Sequence, residues 1–233
     1  MQMRLPQNAY QANQYHFPNV AMAPGDHPLA IGGDLSMGRL IAAYRSGIFP
    51  WYNPGEPILW WSPDPRFILY PDNFKVQHGL KKALRRKPWE LRCDTQFEQV
   101  MRACAVAPRP GQNGTWITGE MLLAYTRLNK AGIAHSVEVW LEGQLVGGLY
   151  GLSIGRVFFG ESMFHKVPDA SKVALHHLVS LARQWDFLFI DCQVRTAHLE
   201  RLGAEDIPRE LFLSELEEAL DSETRLGSWD NFR

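Results

Sequence analysis

Between Ser136 and Phe164 the chain changes period, and this stretch limits the possible folds more than any other. "SVEVWL", "QLVGGLYGLSI" and "RVFFGESMF" are apolar runs of strand length, separated by the turn residues Glu142-Gly143 and by Gly155. Runs of this kind predict an antiparallel meander. Directly after it, "DASKVALHHLVSLARQW" sets Ala174, Leu178, Leu181, Ala182 and Trp185 on one helical face, with Asp169 as the expected N-cap. A short buried strand, "FLFIDCQV", and a helix, "PRELFLSELEEAL", complete the second half. Strands, helix, strand, helix in that order predict an α/β (α+β) domain with a mixed sheet flanked by helices.

The first half is less regular. "SMGRLIAAYRSG" reads as a short helix capped by Asp34 or Ser36 and stopped by Gly47. "IFPWYNPGEPILWWSPDPRF" is dense in proline and tryptophan and reads as a stiff aromatic connector. A domain boundary near Pro65 follows, with residues 1–64 a small N-terminal domain and 65–233 the larger one. "DTQFEQVMRACA" and "TGEMLLAYTRLNKAG" are further helices, burying Phe97, Val100, Met101 and Cys104, and Met121, Tyr125 and Leu128.

A chain of 233 residues, 45% hydrophobic, can bury a proper core. No apolar run reaches the roughly 20 residues that span a membrane, and "MQMRLPQNAYQANQYHF" shows no signal core, so a soluble cytoplasmic protein is expected. Cys93, Cys104 and Cys192 are odd in number and form no CxxC pair, and His176 and His177 point about 100° apart on a helix. Neither a disulfide framework nor a metal site is expected. Cys192 reads as a core residue.

Net charge is −1, but Lys75 to Arg92 holds seven basic residues and one acid, so that this segment carries +6 and the rest −7. In "KVQHGLKKALRRK" the apolar stripe is Val76, Leu80, Ala83 and Leu84, which leaves Lys81, Lys82, Arg85 and Arg86 largely off it, before Pro88 ends the helix. Such a face is either simply solvated or a phosphate-binding surface. Two acids also stand out. Glu161 sits among Phe158, Phe159, Met163 and Phe164, where a carboxylate is costly unless a cation meets it. Asp191 and Gln193 share one face of an apolar strand, which is either a site edge or an ordinary strand end.

The motifs "AIGGDLS", "AYRSGIFPWY", "PILWWSPDPR", "GTWIT", "HSVEVW", "LVGGLYG", "FFGESMF", "ASK", "IDCQV" and "LGAEDIPR" together resemble those of the bacterial leucyl/phenylalanyl-tRNA–protein transferases, in the same order and from about Pro28 to Arg209. The resemblance implies a small N-terminal domain and a C-terminal GNAT-like acyltransferase domain. It implies transfer of Leu or Phe, and less readily Met, from aminoacyl-tRNA to the α-amine of proteins beginning with Arg or Lys, marking them for degradation by the N-degron pathway. An aminoacyl ester is already activated, so no cofactor and no metal are expected.

By motif, Asp191 and Gln193 become catalytic candidates. An amide oxygen is a weak base, so Gln193 would orient the amine while Asp191, or a proton path through tRNA hydroxyls, takes the charge. Glu161 would hold the substrate's α-ammonium, unless it pairs with a protein Lys or Arg. Trp51, Trp116, Tyr125, Leu149, Phe158, Met163, Leu175 and Leu178 match the family's apolar pocket, and Lys81, Lys82, Arg85, Arg86 and Lys87 would face tRNA. Two positions depart from the family pattern: Leu149 stands where Met is familiar, and Thr196 where Asn is expected. No role is carried to Thr196. A coenzyme A–dependent acetyltransferase is disfavoured because no [Q/R]xxGx[G/A] pyrophosphate loop is present. A module that only binds aminoacyl-tRNA, and an enzyme serving a cell-wall precursor, would differ in transfer and in acceptor.

Overall fold

The computed structural model describes residues 15–108 and 115–231; the sequence start and Gly114 of "GTWIT" lie outside these. Two sheets organise it. The smaller joins β1 (Ala30–Ile31), β3 (Leu59–Trp61) and β2 (Phe49–Pro50), all antiparallel. The helix α1 (Met37–Arg45) lies between β1 and β2 in sequence. It begins at Ser36, whose amide donates to Asp34, and the chain turns back at Gly47 with φ 72°. The proline-rich segment is therefore not merely a connector: it contains β2 and β3. Alternation is hard to see in strands of two or three residues.

The larger sheet has seven strands in the order β10-β4-β9-β8-β7-β6-β5. They are β4 (Arg66–Leu69), β5 (Glu90–Cys93), β6 (Ala134–Leu141), β7 (Gln144–Ile154), β8 (Val157–His165), β9 (Phe189–Gln193) and β10 (Glu205–Ile207). The expected meander is β6-β7-β8, and its first turn places both Glu142 and Gly143 at positive φ. The mixed sheet flanked by helices is as the sequence indicates. β8 and β9 form its parallel pair, linked through α5 (Ala170–Gln184), and every other pairing is antiparallel.

Helices cover both faces. On one, α1, α3 (Phe97–Val106), α4 (Gly119–Lys130) and α7 (Arg209–Leu220) bury Tyr44, Met101, Tyr125 and Phe212 against the sheet. On the other lie α2 (His78–Arg86) and α5, which bury Leu80, Leu175 and Leu178. The basic helix starts later than its periodicity suggests: Val76 precedes it but still packs on this second core. Asp169 occupies the N-cap of α5 in a left-handed conformation and makes no side-chain cap; its carboxylate accepts from Lys172 Nζ at 2.7 Å instead.

β7 and β8 are close-packed where Gly151 faces Gly160 across a register shift. A methyl on Gly151 would come within 2.1 Å of the Phe159 carbonyl oxygen and 2.7 Å of the Phe158 ring. Backbone cannot yield there without disturbing the strand that carries Glu161. Gly151→Ala should cost about 1–3 kcal/mol of stability, the usual range for overpacking, measured by denaturant titration.

Candidate active site

The parallel ladder of β8 and β9 ends at Phe159 and Asp191. Beyond that point a pocket of about 360 Å³ opens, lined from both strands. This lies within the usual range for small-ligand sites of about 300–1,000 Å³. Its walls are mostly apolar: Leu149 and Phe158 from the meander, Leu175 and Leu178 from α5, and Trp51, Trp116 and Met163 at its partly exposed rim. Trp51 is fixed by its neighbour, since its carbonyl accepts from Trp61 Nε1 at 2.7 Å and its ring sits 5.6 Å from that of Trp61.

Seven of the eight expected pocket residues therefore line one cavity. Tyr125 does not. It is fully buried behind the wall, with its hydroxyl 2.5 Å from that of Tyr44. Tyr44 in turn donates to Glu161 Oε1 at 2.5 Å, so its single proton is used and Tyr125 is the donor to Tyr44. Burial raises the pKa of both tyrosines well above the ordinary phenol, and the Glu161 charge adds to it. Both tyrosines therefore keep their protons at neutral pH.

Glu161 lines the pocket, and its same Oε1 also accepts from Gln193 Nε2 at 2.8 Å. Among the described residues no Lys, Arg or His forms an ion pair with it. Burial drives its pKa up to about 7, and the hydrogen bonds from Tyr44 and Gln193 only partly offset this. The buried ion pair that would have explained this acid structurally is not formed.

Asp191 is placed differently from what its motif suggests. It is fully buried and outside the pocket, with both oxygens taken by Arg66: Nε to Oδ1 at 2.8 Å and Nη2 to Oδ2 at 2.6 Å. Its Oδ1 also accepts from the Gln193 amide at 2.9 Å, where Gln193 has φ 64°. A strained backbone of this kind persists only when its surroundings fix it. Arg66 lies between the Phe49 and Phe212 rings, 4.9 and 4.4 Å from their centroids, and donates to the Gly47 carbonyl at 3.0 Å. Asp191 thus orients Gln193 rather than facing a ligand.

Cys192 lines the pocket together with Ile190, which shares its face of β9, and also packs at the edge of the second core. Burial, then the Asp191 charge, pushes its thiol pKa far up, so it stays protonated. Thr196 also lines the pocket and caps α6 (Ala197–Arg201) by accepting from the Leu199 amide at 3.2 Å. Sequence reasoning assigned nothing to Tyr44, Arg66 or His198. Arg66 carried a readable signal, a cation opening the apolar run "RFILY". The basic residues Lys81, Lys82 and Arg85 are exposed on α2. Lys87 has left the helix and rests over the Trp89 ring at 5.0 Å, and the Arg86 side chain lies outside the described residues. Among the described residues no cluster of three His, Cys, Asp or Glu could hold a metal, and no helix is long and apolar enough to cross a membrane.

Known proteins resemble this chain over most of its length. A family model for leucyl/phenylalanyl-tRNA protein transferase matches residues 68–217, and one for the N-terminal domain of the same proteins matches residues 33–64. Proteins of that name are 54% identical over 91% of both chains in Nitratidesulfovibrio vulgaris, and 56% identical over 86% of both in Nitrosospira multiformis. In Legionella pneumophila the figure is 52% over 95% of this chain and 98% of the relative. Among solved structures, a GCN5-related N-acetyltransferase-like protein from Streptococcus suis aligns at 16% identity and TM-score 0.35, covering 69% of this chain and 59% of its own. L-PGS from Bacillus licheniformis aligns at 11% identity and TM-score 0.39, covering 67% and 50%. Both scores are too low to carry an argument. The protein is an aminoacyltransferase built on a mixed α/β fold. It belongs to the leucyl/phenylalanyl-tRNA–protein transferase family, as its motifs indicated.

A raised acid binds its proton more tightly in the folded chain, so its contribution to stability is present below the unfolded pKa and lost as pH rises through the folded one. For Glu161 that window runs from 4.5 to about 7, and the shift is worth at most about 3 kcal/mol. Glu161→Gln keeps the shape without the charge. It should melt higher than the native chain at about pH 8, and no higher at about pH 4, in thermal scans. Arg66→Ala should instead cost about 3–5 kcal/mol by stranding Asp191 in the core.

Proposed function

We propose that this chain transfers Leu or Phe, and less readily Met, from aminoacyl-tRNA to the α-amine of proteins beginning with Arg or Lys, and that the product is thereby marked for degradation. An enzyme drawing on aminoacyl-tRNA would work in the cytoplasm. The observation that carries the reading is Glu161, an acid facing an apolar pocket with hydrogen-bond partners but no cation. An aminoacyl group supplies what is lacking: an apolar side chain for the Leu149, Phe158, Leu175 and Leu178 wall, and an α-ammonium for the carboxylate. Binding that cation would pull the Glu161 pKa back down.

The chemistry then needs little beyond alignment. The lone pair of the acceptor α-amine attacks the ester carbonyl, and a tetrahedral oxyanion forms. It collapses with cleavage of the bond to the tRNA ribose oxygen, which takes up the proton the amine gives away. Free α-amines have a pKa of about 8, so about a tenth is neutral at pH 7. Gln193 has its Nε2 committed to Glu161, which leaves its side-chain oxygen to accept from the incoming amine. Asp191 acts through Gln193, as a positioning residue. Its two bonds to Arg66 are incompatible with the role of proton acceptor, so the path through ribose hydroxyls is preferred. Holding the reacting groups in place can supply much of the barrier reduction.

Labelled Leu-tRNA should yield labelled peptide when the peptide begins with Lys or Arg and little when it begins with Ala, without added coenzyme. Transfer from acetyl-CoA with none from Leu-tRNA would reject the reading. Gln193→Ala should lower the single-turnover rate about 10²-fold at saturating substrate, as expected for a misplaced nucleophile. Glu161→Gln should weaken charged tRNA and leave uncharged tRNA unaffected.

A further inference from the structure

The aminoacyl pocket does not end at its apolar wall. His198, half-buried on α6, lines it and also lines a second, more polar cavity that shares Met163 with the first. His165, Ser171, Lys172 and Asp169 complete that cavity's polar lining. Ser171 is 6% exposed and makes no hydrogen bond through its hydroxyl among the described residues. One turn along α6 from His198, on the same face, stands Arg201. Its side chain is exposed, and among the described residues no carboxylate pairs with it.

The C-terminal end of α6 abuts the basic helix. Gln77, the N-cap of α2, donates from Nε2 to the Arg201 carbonyl at 3.0 Å. Beyond it a shallow depression is lined by His78, Lys81, Lys82 and Arg85, with no acid among the residues lining it. Two cations, Lys172 and Arg201, therefore stand around the neutral His198 imidazole between the pocket mouth and α2. Lys172 is partly neutralised by Asp169 at 2.7 Å, although its ammonium keeps further N–H donors. Burial, then the charges of Lys172, Arg201 and His165, lowers the His198 pKa, so its imidazole is a neutral hydrogen-bonding group.

We infer that Lys172, His198 and Arg201 form a phosphate track that carries the single-stranded 3′ end of the RNA from the aminoacyl pocket to the basic face of α2. The inference rests on the aminoacyl-tRNA reading and adds to it a second contact, distinct from α2. A strand bearing one anion per nucleotide fits two separated cations, Lys172 and Arg201, with the neutral His198 imidazole beside them as an N–H donor. The uncapped hydroxyl of Ser171 can donate to the same phosphate as Lys172. α2 alone would hold the RNA body but would leave the strand between body and ester unguided.

The test uses two non-reactive ligands: a nucleoside carrying an amide-linked leucine on its ribose, and a trinucleotide carrying the same leucine at its 3′ end. The native chain should bind the trinucleotide more tightly, with log affinity falling against log salt by about 0.7 per phosphate contact. Lys172→Gln combined with Arg201→Gln should leave nucleoside binding and melting temperature unchanged, remove the trinucleotide's advantage and flatten its salt slope. Arg85→Ala should weaken full-length tRNA while leaving the trinucleotide alone. Equal binding of the two ligands by the native chain, or an advantage and slope that survive in the double variant, would overturn the track and leave the pocket assignment standing. Failure of the native chain to bind either ligand would remove the aminoacyl reading and the track together.

Discussion

The Arg66–Asp191 pair is the contact on which the site depends. Two charges removed from water are costly, and the cost is recovered only when geometry is good and the remaining donors are satisfied. Here the guanidinium is bidentate to the carboxylate, donates its third bond to the Gly47 carbonyl and is flanked by Phe49 and Phe212. One interaction thus joins β4 to β9 and both to the turn between α1 and β2. That turn sets where Tyr44 and the Phe49–Trp51 segment lie, and Asp191 holds the Gln193 amide in its left-handed conformation. The small sheet is thereby held against the large one at the place where the pocket opens.

With this frame fixed, the pocket can contain an acid whose charge is not balanced by the protein. Glu161 is held by a tyrosine relay and an amide, all neutral donors. These reduce the cost of burial without cancelling it, which is why its pKa rises despite them. A protein cation in the same place would have stabilised the charged acid and competed with an ammonium ligand. On the proposed function, stability is given up here for recognition, in the manner expected of strained or unsatisfied groups at functional sites.

The parallel pair explains where the pocket lies. β8 and β9 run side by side only as far as Phe159 and Asp191. Past that point the two strands no longer pair through their backbones, and side chains from both, from α5 and from the small sheet close around the gap. α6 follows directly after β9, so the residues that leave the pocket toward α2 are fixed by the same strand end that carries Gln193.

What the sequence by itself determined was local: the meander from its turns, α5 from its apolar face, the basic face of α2 from its charges, and Glu161 as an acid out of place. Those features depend on neighbours within a few residues, where periodicity and turn chemistry act. The motifs added the family and most of the pocket wall. Tertiary structure decided the rest. β2, β3, β4 and β10 are too short to show alternation and exist because partners distant in sequence pair with them. That Asp191 is bound to Arg66 in the core while Gln193 lines the pocket could not be read from strand parity, which sets both on one face, because it depends on Arg66, 125 residues away. Tyr125 left the pocket for the same reason: its place is set by Tyr44, and a hydrogen bond between two helices leaves no trace in the spacing of either.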